Sequence, residues 1–264
     1  MSDSIFHRAM INTLKGKCRL AHRFAMCAAV FAAIPVWADL ARDARTTRIV
    51  REEGNLVIEN ALQFEKDRDG KAITFETGIQ YAPSDRIQLL LEPVLWERQM
   101  PEDESDASGI GDTDFTVAYL AIGAEGPWPA VVLAAKVKIP SADNREIGTG
   151  KADYSASVIS GKEFGELDLN LELEYETFGS PAGEDLKDQF IYTFSLDYGV
   201  TENLSFFAEV FGNTSPADGE DGSSAVLAGV EYDIEINKHV NPFISVEVDT
   251  DELITAKVGL EYAW

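Results

Sequence analysis

Carboxylates recur at every second position over Asp168, Glu172, Glu174 and Glu176, interrupted only by Asn170, and again at Glu231, Asp233 and Glu235. Side chains two apart project from the same side of an extended chain. Acids in such a row could do two kinds of chemistry. One of a pair could pass a proton while the other stays ionised, or the row as a whole could draw cations along a path and turn anions away. The first is weakly signalled, because acids are so abundant that a pair among them means little. The chain has 264 residues with 46 Asp+Glu against 22 Lys+Arg, a formal net charge of −24. That balance also excludes nucleic acid as a partner, since a phosphate backbone calls for a basic footprint.

Other catalytic arrangements are missing from the sequence. Acyl-transfer and hydrolytic sites usually place a histidine or an equivalent base beside a nucleophile. Beyond the first 38 residues there is one histidine, His239, in a predicted turn near Asn237 and Asn241, and no cysteine. No phosphate-binding loop and no metal-ligand spacing occurs. The acidic stretches 218–222 and 249–252 lack a full calcium-loop spacing and read as solvated loops, with loose divalent-ion bridging to lipopolysaccharide as the sharper option. The chain is therefore read as a non-enzyme with no cofactor, no catalytic residue and no metal ligand.

The elements that would position the acids follow from a period of two. Leu167, Leu169, Leu171, Leu173 and Tyr175 alternate with the acids of 168–176. Phe190, Tyr192, Phe194, Leu196 and Tyr198 alternate with polar residues in the next run. Such alternation marks strands with one apolar and one polar face. About twelve are predicted, near 55–66, 71–81, 86–97, 112–122, 128–139, 152–163, 167–177, 188–199, 203–212, 224–236, 241–249 and 253–264. The run at 86–97 is the least regular, with Pro93 inside it and Leu89, Leu90 and Leu91 blurring the alternation. Lengths cluster near the roughly nine to eleven residues that cross a bilayer as a tilted strand. Connections alternate between tight turns and longer acidic loops, as periplasmic turns and outer loops do in outer-membrane barrels. The expected fold is all-β, a transmembrane antiparallel up-and-down β-barrel over 55–264. A secreted β-sandwich or lipocalin-like barrel is the soluble rival, but about twelve apolar strand faces exceed what a small barrel can enclose.

Residues 1–38 read as a cleaved signal peptide. Arg8, Lys15, Lys17, Arg19 and Arg23 precede an apolar run from Phe24, and Val36-Trp37-Ala38 ends it with small residues where a signal peptidase cuts. Met26 before Cys27 argues against a lipid anchor. Cleavage there would take the basic count from 22 to 17 and the acidic count from 46 to 45, a net −28. Residues 39–54 are read as a charged periplasmic segment.

With apolar faces toward lipid, parity turns inward Asp168, Glu172, Glu174, Glu176, Glu209, Glu231, Asp233 and Glu235, together with Glu59, Glu65, Glu76, Glu92, Asp114, Asp197, Glu247 and Glu261. The inward bases are Lys136, Lys138 and Lys257. These are the candidate lumen-lining residues, and their excess of acid predicts a lumen that disfavours anions. Aromatics fall where interfacial girdles are expected, Tyr81, Trp128, Tyr198 and Trp264 at one end and Phe64, Tyr154, Tyr175 and Phe190 at the other.

Two further features have the character of family signatures. The final strand sets Val258, Leu260, Tyr262 and Trp264 on one face and stops on the aromatic, which resembles the terminal signal read by the outer-membrane assembly machinery. Gly109-Ile-Gly-Asp112, Lys136-Val-Lys-Ile-Pro-Ser141 and Gly148-Thr-Gly150 follow in order. That order resembles the outer-membrane family named for the MetA pathway of phenol degradation, over roughly 109–264. The resemblance implies a β-barrel channel or uptake protein for small solutes, aromatic or hydrophobic compounds among them, in contact with outer-membrane lipid and lipopolysaccharide. A non-conducting structural or adhesion barrel acting through its acidic outer loops stays open as the alternative, with an outer-membrane enzyme behind it.

Overall fold

The computed structural model describes residues 54–102, 105–180, 186–215, 222–235 and 239–263. The predicted signal peptide, nearly all of the segment 39–54 and Trp264 lie outside the described residues. Within them the chain forms strands and no helix. The strands are β1 (Leu56–Lys66), β2 (Gly70–Ser84), β3 (Ile87–Pro101), β4 (Ala107–Gly109), β5 (Thr113–Ile122), β6 (Ala130–Ile139) and β7 (Asp153–Phe164). They continue with β8 (Leu167–Thr177), β9 (Gln189–Thr201), β10 (Leu204–Asn213), β11 (Ser224–Tyr232), β12 (Ile234–Glu235), β13 (His239–Asp249) and β14 (Ile254–Ala263).

Twelve of these are long, and each pairs antiparallel with its neighbours in sequence; β4 and β12 are short additions that pair with β3 and β13. β1 pairs with β14 from Val57↔Ala263 to Lys66↔Ile254, and this closes the sheet into a ring. Closure leaves no unpaired edge among the spanning strands, the condition for backbone polar groups to sit in hydrocarbon. The chain is a twelve-stranded transmembrane β-barrel.

Alternation decides which way each residue faces. Along β8 the odd members Leu171, Leu173 and Tyr175 are exposed while Asp168, Asn170, Glu172, Glu174 and Glu176 are buried. In a soluble protein that pattern would be inverted; here the outside is the apolar surface and the inside the polar one. Leu133, Val158, Phe194, Val210, Val226, Val246 and Val258 continue the outer apolar band around the barrel. Tyr81, Trp128, Tyr198, Phe64, Tyr154, Tyr175 and Phe190 are all exposed.

The least regular stretch is longer than predicted and carries a bulge. β3 runs on to Pro101, and its register with β2 jumps from Phe75↔Trp96 to Glu76↔Val94. Leu95 is the additional residue, and both Leu95 and Trp96 face outward. A bulge shifts parity beyond it, so the inner face passes from Val94 to Glu97 and Gln99, which a strict period of two does not foresee. The predicted loop 98–111 likewise contains β4, which pairs Glu97↔Gly109 and Gln99↔Ala107. The predicted strand 224–236 is divided into β11 and β12.

The two ends of the barrel differ. Residues 85–86, 123–129, 165–166 and 202–203 make short turns at the end where β1 begins and β14 finishes. The other end carries the connections 102–112, 140–152, 178–188 and 214–223, with shorter ones at 67–69 and 250–253.

Candidate functional site

Among the described residues, the predicted charged residues meet in the barrel interior. Asp168, Glu172, Glu174 and Glu176 stand in one row on β8, all buried. With about 3.4 Å of rise per residue, the row extends roughly 27 Å along the tilted strand, about the nine residues with which such a strand crosses a bilayer. β9 and β10 continue the acidic wall. Asp168 lies opposite Asp197, Ser195 lies opposite Glu209, and Asp197 and Glu209 are both buried. Glu231 is buried on β11; Asp233 is partly buried beyond it and Glu235 closes β12. Glu59 and Glu261, cross-strand partners on β1 and β14, are also buried.

The bases are few, and each sits against acid. Lys136 Nζ is 3.6 Å from Glu174 Oε1, reaching from β6 across β7. Lys257 of β14 pairs with Glu76 of β2. Lys138 lies between Asp112, at 3.8 Å, and Asp153, which is closer. Burying ions is costly unless they are paired and hydrogen-bonded, which explains why Lys136, Lys138 and Lys257 each lie beside a carboxylate. Asp153, absent from the predicted inward set, has the inward parity of Ser155, Ser157 and Ile159 on β7. Asp112 lies just before β5 and accepts the Ala142 N–H at 3.0 Å. Burial pushes its carboxyl above the ordinary value, opposed by that hydrogen bond and by Lys138.

The interior is not uniformly polar. Phe207 and Leu227 are buried there with Phe211 packed against them, and Ala118, Val132 and Ile159 form a second apolar cluster. Leu90, Ile191 and Phe243 are inward as well. Glycine accounts for the two phenylalanines. Phe207 is paired with Gly229 and Phe243 with Gly259, and each ring occupies the space that a Cβ on the glycine would need. An aromatic laid over a strand glycine covers its bare backbone.

On the terminal strand, Val258 and Leu260 are exposed on the outer face that Tyr262 shares by parity. Among the described residues no group of three or more His, Cys, Asp or Glu side chains could hold a metal ion. His239 opens β13 rather than standing in a turn.

A closed twelve-stranded ring, apolar outside and charged within, defines a membrane-spanning β-barrel of the outer-membrane type. The chain belongs to the family described as "Putative MetA-pathway of phenol degradation", whose model matches residues 38–255. The barrel is similar in fold to an outer membrane channel from Pseudomonas putida F1, with a TM-score of 0.61 at 12% identity over 81% of this chain and 96% of that one. It is also similar to the KdgM porin in complex with disordered oligogalacturonate, with a TM-score of 0.56 at 12% identity over 78% and 98%. The NanC porin matches with a TM-score of 0.58 at 9% identity over 78% and 98%. No relative is found among curated proteins.

Proposed function

We propose that this protein is an outer-membrane channel through which small solutes diffuse or are taken up, with an interior that favours neutral and cationic solutes over anions. The observation that carries the reading is the inner wall itself: a bilayer-length row of carboxylates on β8, continued by Asp197, Glu209 and Glu231, against three inward lysines. Rings and rows of acids make anion entry unfavourable in a pore. Asp168, Glu172, Glu174, Glu176, Glu209, Glu231, Asp233, Glu235, Lys136, Lys138 and Lys257 are its lining residues. Family membership supports small aromatic or hydrophobic compounds among the solutes.

The chain reaches its membrane through a cleaved signal at 1–38, and Val258, Leu260, Tyr262 and Trp264 are read by the assembly machinery. Lipid and lipopolysaccharide surround the outer band. No catalytic role is proposed. Liposome swelling with neutral aromatic compounds and small sugars, together with reversal potentials in a planar bilayer, tests the channel. Swelling with cation preference is expected. An impermeable, correctly folded barrel would favour the structural or adhesion reading, and anion preference would remove the role given to the acids.

A further inference from the structure

The three mid-chain motifs converge on one corner of the loop-bearing end. The carboxylate of Asp143, in the β6–β7 connection, accepts the Ile110 N–H at 3.0 Å, and the Asp143 N–H returns a bond to the Ile110 carbonyl at 3.3 Å. Asp112 reaches the opposite way, accepting the Ala142 N–H at 3.0 Å. Ser141 Oγ is 2.8 Å from Thr113 Oγ1 and donates to the Gly111 carbonyl at 3.2 Å. Glycine is required in both partners for this exchange. The Asp143 carboxylate fills the place of a Cβ on Gly109, and Ala142 and Asp112 fill that of a Cβ on Gly148.

Beneath the exchange, the buried Lys138 ammonium joins Asp112 to Asp153. Asp153 in turn accepts the Gly179 N–H at 2.8 Å, which ties in the β8–β9 connection. Three separate loops are thus fastened at one buried cation.

We propose that the β6–β7 connection, residues 140–152, is a fixed visor over one side of the barrel's opening, held by Lys138, Asp112, Asp143 and Asp153, and that it sets the size limit of the solutes admitted. The direction of folding carries the argument. Asp112 has the inward parity of Asp114, Thr116 and Ala118, so a loop whose Ala142 and Gly148 lie against its carboxylate is drawn toward the lumen. Ile147, in the middle of that loop, is only 5% exposed. An apolar side chain so covered in a surface connection is packed downward rather than held out in solvent. Lys138 is a positioning residue: without its charge, Asp112 and Asp153 face each other buried, and repulsion opens the corner.

The size limit rests on the channel reading, whereas the clasp does not, and two measurements separate them. Arg145 and Lys151 are exposed in the visor and report on its release through trypsin. In the detergent-folded protein, Lys138→Met and Asp143→Ala are expected to raise cleavage at these two sites at least tenfold, with Lys138→Arg close to the unaltered rate. Asp143 lies outside the strands, so its variant keeps the test valid if Lys138→Met does not fold. Liposomes carrying the clipped or variant barrels should admit larger sugars than the unaltered protein. Unchanged cleavage in folded Asp143→Ala overturns the clasp. Faster cleavage with an unchanged cut-off in conducting liposomes overturns the size limit. Faster cleavage with no solute passage in any form, the unaltered protein included, upholds the clasp and overturns the channel.

Discussion

Lys257 and Glu76 form an ion pair that straddles β1, joining the last strand of the barrel to the second. Both side chains are largely withdrawn from solvent. Removing one partner of a buried pair leaves the other charge uncompensated and costs about 3–5 kcal/mol. Lys257→Met should therefore lower the urea midpoint of unfolding in detergent clearly, whereas the double variant with Glu76→Gln should recover much of the loss. If the single and double variants unfold together, the pair contributes nothing.

The glycine under Phe243 makes a second prediction. A Cβ on Gly259 would meet the Phe243 ring and lie 2.8 Å from the Asn60 carbonyl oxygen. Overpacking of this kind costs about 1–3 kcal/mol. Gly259→Ala should lower the temperature of the heat-induced gel shift, and pairing it with Phe243→Leu should restore part of it. Loss of nothing in the single variant would mean that the ring moves freely.

Selectivity can be dissected on β8. Glu172→Gln with Glu174→Gln removes two adjacent acids of the row while keeping side-chain volume. The cation-to-anion permeability ratio from reversal potentials should fall by about twofold, as expected when an acidic lining is thinned. An unaltered ratio would place the selective carboxylates elsewhere on the wall.

At the loop end, Arg68 donates to both oxygens of the Glu252 carboxylate. That hydrogen bond, and then the guanidinium charge, hold the Glu252 carboxyl below its ordinary 4.5. For a carboxyl lowered by folding, the stabilisation is present above the unfolded value and is lost as pH falls through the folded one. Both side chains are exposed, so the effect on overall stability is small. The check is the titration of Glu252 by carboxyl NMR: a midpoint below 4.5 is expected, returning to the ordinary range in Arg68→Ala.

Trp264→Ala tests the terminal signal. Folded protein in the outer membrane should drop severalfold, while the same chain refolded from urea into detergent should show an unaltered gel shift. A comparable defect in both would make the residue structural.

The barrel was readable where alternation was unbroken. β8 runs over the same eleven residues, Leu167–Thr177, that the leucines and acids mark out, because one strand buried on a single face writes its geometry directly into a period of two. β3 was not, since the bulge at Leu95 reverses parity in mid-strand without a glycine to announce it. The inward acids of β8, β9 and β10 were visible for the same reason as the strands. Glu97 was hidden beyond the bulge, whereas Asp153 shares the inward parity of Ser155, Ser157 and Ile159 and was legible from alternation alone. Phe207 and Phe243 share the inward parity of Glu209 and Glu247, but the room for their rings could not be read, because it depends on glycines of neighbouring strands. That is a cross-strand relationship and not a local one.

Closure through β1 and β14 also bears on how the barrel comes into being. Val57 meets Ala263 and Lys66 meets Ile254, contacts between residues separated by most of the described chain. Such contacts are the slowest to form, since their loop-closure entropy must be met before any reward. Until they form, the curling sheet has two bare rims able to recruit strands from other molecules. A nascent chain of this design therefore depends on its last strand finding its first before a stranger does. Yield in the cell would be governed by the timing of that single zipper more than by the final strength of the wall.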